Sequence, residues 1–187
     1  MVYSFYFRSF VETEIMCELK GEIHMMKFCY EKWDENKDKL EAALRKADLH
    51  DQTYESLLKL TVTHILNDDL TADAIYGGWN VDKITTIDDG DYQGTILFVI
   101  PRNTYQPSEY QYLMTYIGYG SCCCCDYLQS IEPDYGEAGT DEDIKNYMSL
   151  CKDFITNMIK PYNCGWRQED EFEHVTMVVH VDMEENK

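Results

Sequence analysis

Thr95-Ile96-Leu97-Phe98-Val99-Ile100, closed by Pro101, is an apolar run of strand length, rich in β-branched residues. A strand apolar on both faces is covered on both, which predicts the centre of a sheet. Upstream, residues 81–87 are β-branched and run into Asp88-Asp89-Gly90-Asp91, a turn signal. Downstream, a loop bounded by Pro101 and Pro107 leads to residues 110–119. There Tyr110, Tyr112, Met114 and Tyr116 alternate with Gln111, Leu113, Thr115 and Ile117. Three strands in this order predict an antiparallel meander.

Helical periods flank the meander. From Asn36, the residues Leu40, Ala43, Leu44 and Ala47 form one apolar stripe, with Asp34 or Asn36 as the cap. Tyr54, Leu57, Leu58, Ile65 and Leu66 share a second face, with Asp51 or Thr53 as its cap and Asn67-Asp68-Asp69 at its end. These two helices predict a hairpin. Thr140-Asp141-Glu142-Asp143 resembles a capping box. Behind it, Ile144, Tyr147, Met148, Cys151, Ile155, Met158 and Ile159 predict an amphipathic helix stopped by Pro161. Val175, Met177, Val179 and Val181 then alternate as a closing strand. The expected fold is α+β: an antiparallel sheet of about four strands, with an N-terminal helical hairpin and a C-terminal helix packed on it.

Residues 26–187 read as one domain, and residues 1–25 as a translated leader or an N-terminal extension. Lys20-Gly21-Glu22 can be encoded by AAA-GGA-GAA, which contains a bacterial ribosome-binding sequence. Ile23-His24 would space it from a start at Met25 or Met26. The other reading is an N-terminal strand, since Val2-Tyr3-Ser4-Phe5-Tyr6-Phe7 is β-prone.

Charge bounds the function. Thirty-five acidic residues face sixteen basic ones, a formal net charge of −19. Such a field repels nucleic acid and anionic membrane and attracts basic surfaces. With 44 % hydrophobic residues, the charge decorates a folded body and not a disordered chain. No apolar run approaches the roughly 20 residues of a membrane helix.

The acids cluster at expected loops and element ends. Asp88, Asp89 and Asp91 form one group, Asp141, Glu142 and Asp143 another, and Glu169, Asp170 and Glu171 a third. Displayed on a compact fold, these groups can imitate a phosphate ladder and occupy a groove built for nucleic acid. Tyr110 and Tyr112 add aromatic contact area of the kind protein interfaces use. Solvated loops and dipole-complementing helix starts are the plainer reading of each group. Asp88-Asp89-Gly90-Asp91 lacks the ligand alternation of a calcium loop.

Phosphate-binding glycine motifs, the G-x-S-x-G elbow and H-E-x-x-H are all missing. His174 and His180 share a strand face, and a cysteine nucleophile with such a base is one enzymatic alternative.

Four consecutive cysteines, Cys122 to Cys125, contain the C-x-x-C spacing at their ends. The plainest expectation is small side chains buried in the core. Cys122 and Cys125 could instead begin a zinc site, but no second C-x-x-C or H-x-x-x-H pair completes it. A redox pair is the third reading. Consecutive cysteines do not suit a disulfide scaffold, which favours a reducing cytoplasm.

Several motifs carry a resemblance. They are Met26-Lys27-Phe28 with Tyr30-Glu31-Lys32-Trp33, Asp88-Asp89-Gly90-Asp91-Tyr92-Gln93-Gly94-Thr95, and Pro107-Ser108-Glu109-Tyr110. Tyr119-Gly120-Ser121-Cys122 with Cys125-Asp126, and Ile159-Lys160-Pro161-Tyr162-Asn163 with Gly165-Trp166, complete the set. Together they resemble a family of small phage and prophage proteins of gut Firmicutes with a Y-G-S-C-x-x-C-D motif. Cys123 and Cys124 depart from the serine and glycine of that motif, which leaves Cys122 and Cys125 as the positions that match it. The resemblance brings no established activity. By analogy, a phage origin implies a host-directed protein of the host bacterial cytoplasm, such as an anti-CRISPR. The expected function is inhibition of a host nucleic-acid-dependent defence nuclease, for example a Cas9-type effector, through its basic groove. No cofactor, no membrane and no direct nucleic-acid binding are expected. The alternatives are a zinc-stabilised phage accessory protein and a cysteine-dependent enzyme.

Overall fold

A computed structural model describes residues 26–50, 52–67, 78–109, 111–133 and 139–159. The expected leader, the closing strand at 175–181, Tyr110 and the acids Glu169, Asp170 and Glu171 lie outside those residues.

Helix α1 occupies residues 26–44, so helix is present ten residues before the expected start. Cys29, Trp33, Asn36, Leu40 and Leu44 are its buried stripe. Asn36 is therefore not a cap. It lies within the helix, 4 % exposed, and its Nδ2 donates to the Ile65 carbonyl at 3.1 Å. A polar residue on a core face reads as a boundary in sequence, because only the facing helix supplies the carbonyl that satisfies it.

Helix α2 (Tyr54–Thr61) begins at a capping box: Thr53 Oγ1 accepts from Ser56 N at 3.1 Å, and Ser56 Oγ accepts from Thr53 N at 2.8 Å. It runs on into a π turn, Val62–Leu66, closed by Asn67 N donating to Val62 O at 2.9 Å. Asn67 then ties the chain across to residue 79. Its Nδ2 donates to the Trp79 carbonyl and its Oδ1 accepts the Trp79 amide, both at 2.8 Å.

The sheet contains β1 (Thr85–Asp88), β2 (Gly94–Pro101) and β3 (Tyr112–Tyr119), antiparallel in the order β1-β2-β3. The α+β expectation holds, with three strands found among the described residues. β2 is central, as its apolar run predicts. Its two faces differ, however: Phe98 and Ile100 are buried, whereas Leu97 and Val99 are only half-buried. Residues 81–83 are not strand. Asn80 Oδ1 accepts from Asp82 N at 3.1 Å and caps a short 3-10 turn there.

The buried face of β3 is Leu113, Thr115 and Ile117. A five-residue helix, α3 (Tyr127–Ile131), follows. The long helix α4 (Asp141–Thr156) packs on the sheet, its capping box built from Thr140 and Asp143 as expected. The Phe154 ring meets Phe98 edge-on at 6.0 Å, and Thr115 Oγ1 donates to the Phe154 carbonyl at 2.8 Å. α4 ends before Pro161 can stop it, because Ile159 forms an antiparallel bridge with Met114. Its buried side chains include Leu150 and Phe154, which the sequence stripe left out.

Candidate functional site

The β1–β2 hairpin gathers three of the expected acids. Asp88, Asp89 and Asp91 are all exposed. Gly90 makes the turn possible, since a Cβ there would overlap the Gln93 carbonyl. Asp88 Oδ1 accepts from Gly90 N at 3.0 Å and from the Tyr119 hydroxyl at 2.8 Å. Asp89 Oδ1 accepts from Thr95 N at 2.7 Å. Among the described residues no lysine or arginine forms an ion pair with these three carboxylates. Tyr119 registers the resulting field. Its hydrogen bond to Asp88 and its partial desolvation, with the charges of Asp88, Asp89 and Asp91 acting in the same sense, push its pKa up to about 12.

The second acidic group differs. Asp141 pairs with Arg45 at 2.8 Å, and Glu142 with Lys145 at 3.4 Å. Asp143 Oδ2 accepts from the backbone N–H and the hydroxyl of Thr140, at 2.7 and 2.8 Å. These carboxylates are occupied in capping and local pairing. Among the described residues no hydrogen bond or ion pair joins them to the hairpin.

Beside the hairpin lies an apolar strip. Ile87, Leu97 and Tyr116 stand in one cross-strand row on the sheet face away from α4. Ile87 is 51 % exposed and Tyr116 42 %. Tyr112 lies on the same face and is half-buried. Tyr92, in the hairpin loop, is 82 % exposed. Sequence alternation separated the faces of β3, but Ile87 and Tyr92 could be found only with the register and loop in place.

The cysteine run corrects its plainest expectation. Cys122, Cys123, Cys124 and Cys125 are all exposed, whereas Cys29 and Cys151 are buried. The reason lies beneath the turn. Asp126, 4 % exposed, accepts from Gly120 N through Oδ2 at 3.1 Å. Its Oδ1 accepts from Gln129 N at 2.9 Å and from the Tyr54 hydroxyl at 3.0 Å. This one carboxylate enters the core and holds the turn outside it. Cys122 and Cys125 bring their sulfurs to 3.0 Å. The hydrogen bond from Cys122 lowers the Cys125 pKa, and Ser121 acts in the same direction. Burial pushes the Cys29 and Cys151 thiols up to about 12. Among the described residues no group of three His, Cys, Asp or Glu side chains is assembled to hold a metal ion. No described helix is long and apolar enough to cross a membrane.

Compared with known proteins, the chain matches no family model, no curated protein and no solved structure.

Proposed function

We propose that this is a non-enzymatic, acidic binding protein that presents residues 88–92 to a basic nucleic-acid-binding groove on a partner protein. One observation carries the reading: three exposed carboxylates at one hairpin have no cationic partner among the described residues, beside exposed Tyr92. Other surface carboxylates are paired with a nearby cation, as in Lys59–Glu55, Arg45–Glu41 and Lys145–Glu142, whereas the hairpin gathers three without one, among the described residues, at a single turn. An unmatched group within a field of −19 favours fast encounter with a cationic cleft. The row Ile87, Leu97 and Tyr116 then supplies apolar contact area once the charges have oriented the pair.

The phage-family resemblance narrows the partner to a host defence nuclease of the nucleic-acid-dependent kind, with a Cas9-type effector as the specific proposal. Inhibition there is competition for a groove, with no bond made or broken. The test is association kinetics with a purified Cas9-type nuclease across a salt series, with competing DNA. Wild-type protein should bind at low salt, lose association rate as salt rises and be displaced by DNA. The triple variant D88K/D89K/D91K should lose about tenfold or more in association rate. Equal rates and equal salt response in the two proteins would remove the electrostatic mechanism.

A further inference from the structure

The cysteine turn carries chemistry that charge-driven binding does not use. Cys125 N donates to Cys122 O at 2.9 Å, and Asp126 N donates to the same carbonyl at 2.8 Å. The first of these bonds closes a β-turn, which keeps the Cα atoms of Cys122 and Cys125 within about 7 Å. That separation overlaps the range in which a disulfide forms without backbone movement. The two sulfurs already face each other at 3.0 Å.

The base of the turn is fixed. Asp126 ties its entry at Gly120, its exit at Gln129 and the buried Tyr54 hydroxyl to one carboxylate. Gly120 has no substitute here, because a Cβ would overlap the carbonyl and the sulfur of Cys125. The outer face of the turn is open, with all four thiols exposed. An exposed dithiol on a rigid support is accessible to a thiol-exchange partner and pre-positioned to resolve the adduct.

We propose that Cys122 and Cys125 are a reversible dithiol–disulfide pair whose oxidant is a low-molecular-weight disulfide of the glutathione type. One of the two sulfurs, as thiolate, attacks a sulfur of the incoming disulfide. The old S–S bond breaks, a mixed disulfide forms, and the first small thiolate leaves and takes up the proton the protein thiol had lost. The second cysteine, as thiolate, attacks the protein-side sulfur of the mixed disulfide. The Cys122–Cys125 bond forms and the second small thiol departs with the remaining proton. Two protein thiols are oxidised and one disulfide is reduced to two thiols, so no other oxidant enters. The site is independent of the acidic hairpin and stands or falls separately from the binding function.

The test uses the full chain and its C123S/C124S variant, both reduced and then equilibrated in stepped mixtures of reduced and oxidised glutathione. Free thiols are trapped with a maleimide, and the products are assigned by intact mass and peptide mapping. The expected result is a Cys122–Cys125 disulfide whose occupancy follows one two-electron curve in both proteins. Adding C122S to the double variant should leave glutathione on Cys125, and adding C125S should leave it on Cys122. Each adduct should persist at least about tenfold longer than in the parent, which resolves it internally. Circular dichroism identical to the parent shows that each variant is folded. Three outcomes overturn the proposal: glutathione adducts that persist in the C123S/C124S parent, bonds that consistently involve other cysteines, or tightly held zinc that shields both thiols from the maleimide.

Discussion

Tyr54 and Asp126, 72 residues apart in sequence, meet in the core, the phenol donating to Oδ1 at 3.0 Å. That bond ties the first turn of α2 to the foot of the cysteine turn. The Tyr54 oxygen also accepts from Leu128 N at 3.3 Å, so one hydroxyl bridges the carboxylate and the start of α3. Tyr54→Phe should destabilise the protein by about 1 kcal/mol, the net value of a typical hydrogen bond. Asp126→Ala strands the Gly120 and Gln129 amides as well as the phenol, and should cost about 3 kcal/mol. Denaturant midpoints check both values, and a smaller effect for Asp126→Ala than for Tyr54→Phe would contradict this account of the turn.

Asn36 stands in the same relation to the π turn. Its amide takes the Ile65 carbonyl at the widened end of the second helix. Asn36→Ala removes the donor and leaves a buried acceptor, for an expected loss of about 1–2 kcal/mol. The loss should be local as well as global. Amide exchange at residues 62–67 should accelerate more than exchange in β2, measured under conditions where the variant remains folded.

Tyr119 offers a pH readout of the acidic hairpin. Its hydrogen bond to Asp88, then partial desolvation, then the field of the neighbouring carboxylates, hold its pKa at about 12, above the ordinary value of about 10. The neutral phenol is the form the folded state favours. The stabilisation is therefore fully present below pH of about 10 and is lost as pH rises towards 12. Tyr54 and Tyr147, raised to about 12 chiefly by burial, act in the same direction. Alkaline unfolding should fall in that window. Asp88→Asn should bring the Tyr119 phenolate transition, followed by ultraviolet absorbance, down towards 10. An unmoved transition would mean that the hairpin carboxylates do not set the local potential.

Much of this fold was legible because its signals are local. The run at 95–100 announced a central strand, the alternation after Pro107 separated the faces of β3, and Thr140 marked a helix start by chemistry confined to a single turn, while the start of α2 was narrowed to Asp51 or Thr53 and is Thr53. The beginning of α1 was hidden because Cys29, Trp33 and Asn36 do not read as an aliphatic stripe. Asn36 is acceptable in the core only because Ile65 faces it.

For the candidate sites, composition determined a large negative field and spacing determined that Cys122 and Cys125 can converge. Neither determined which acids remain unmatched, since Arg45 reaches Asp141 across 96 positions of sequence. Nor did sequence determine that four small, ordinarily buried side chains would face outward. Tertiary structure decided that, because the buried carboxylate of Asp126 finds its donors at Gly120, Gln129 and Tyr54, and satisfying it fixes the turn at the surface.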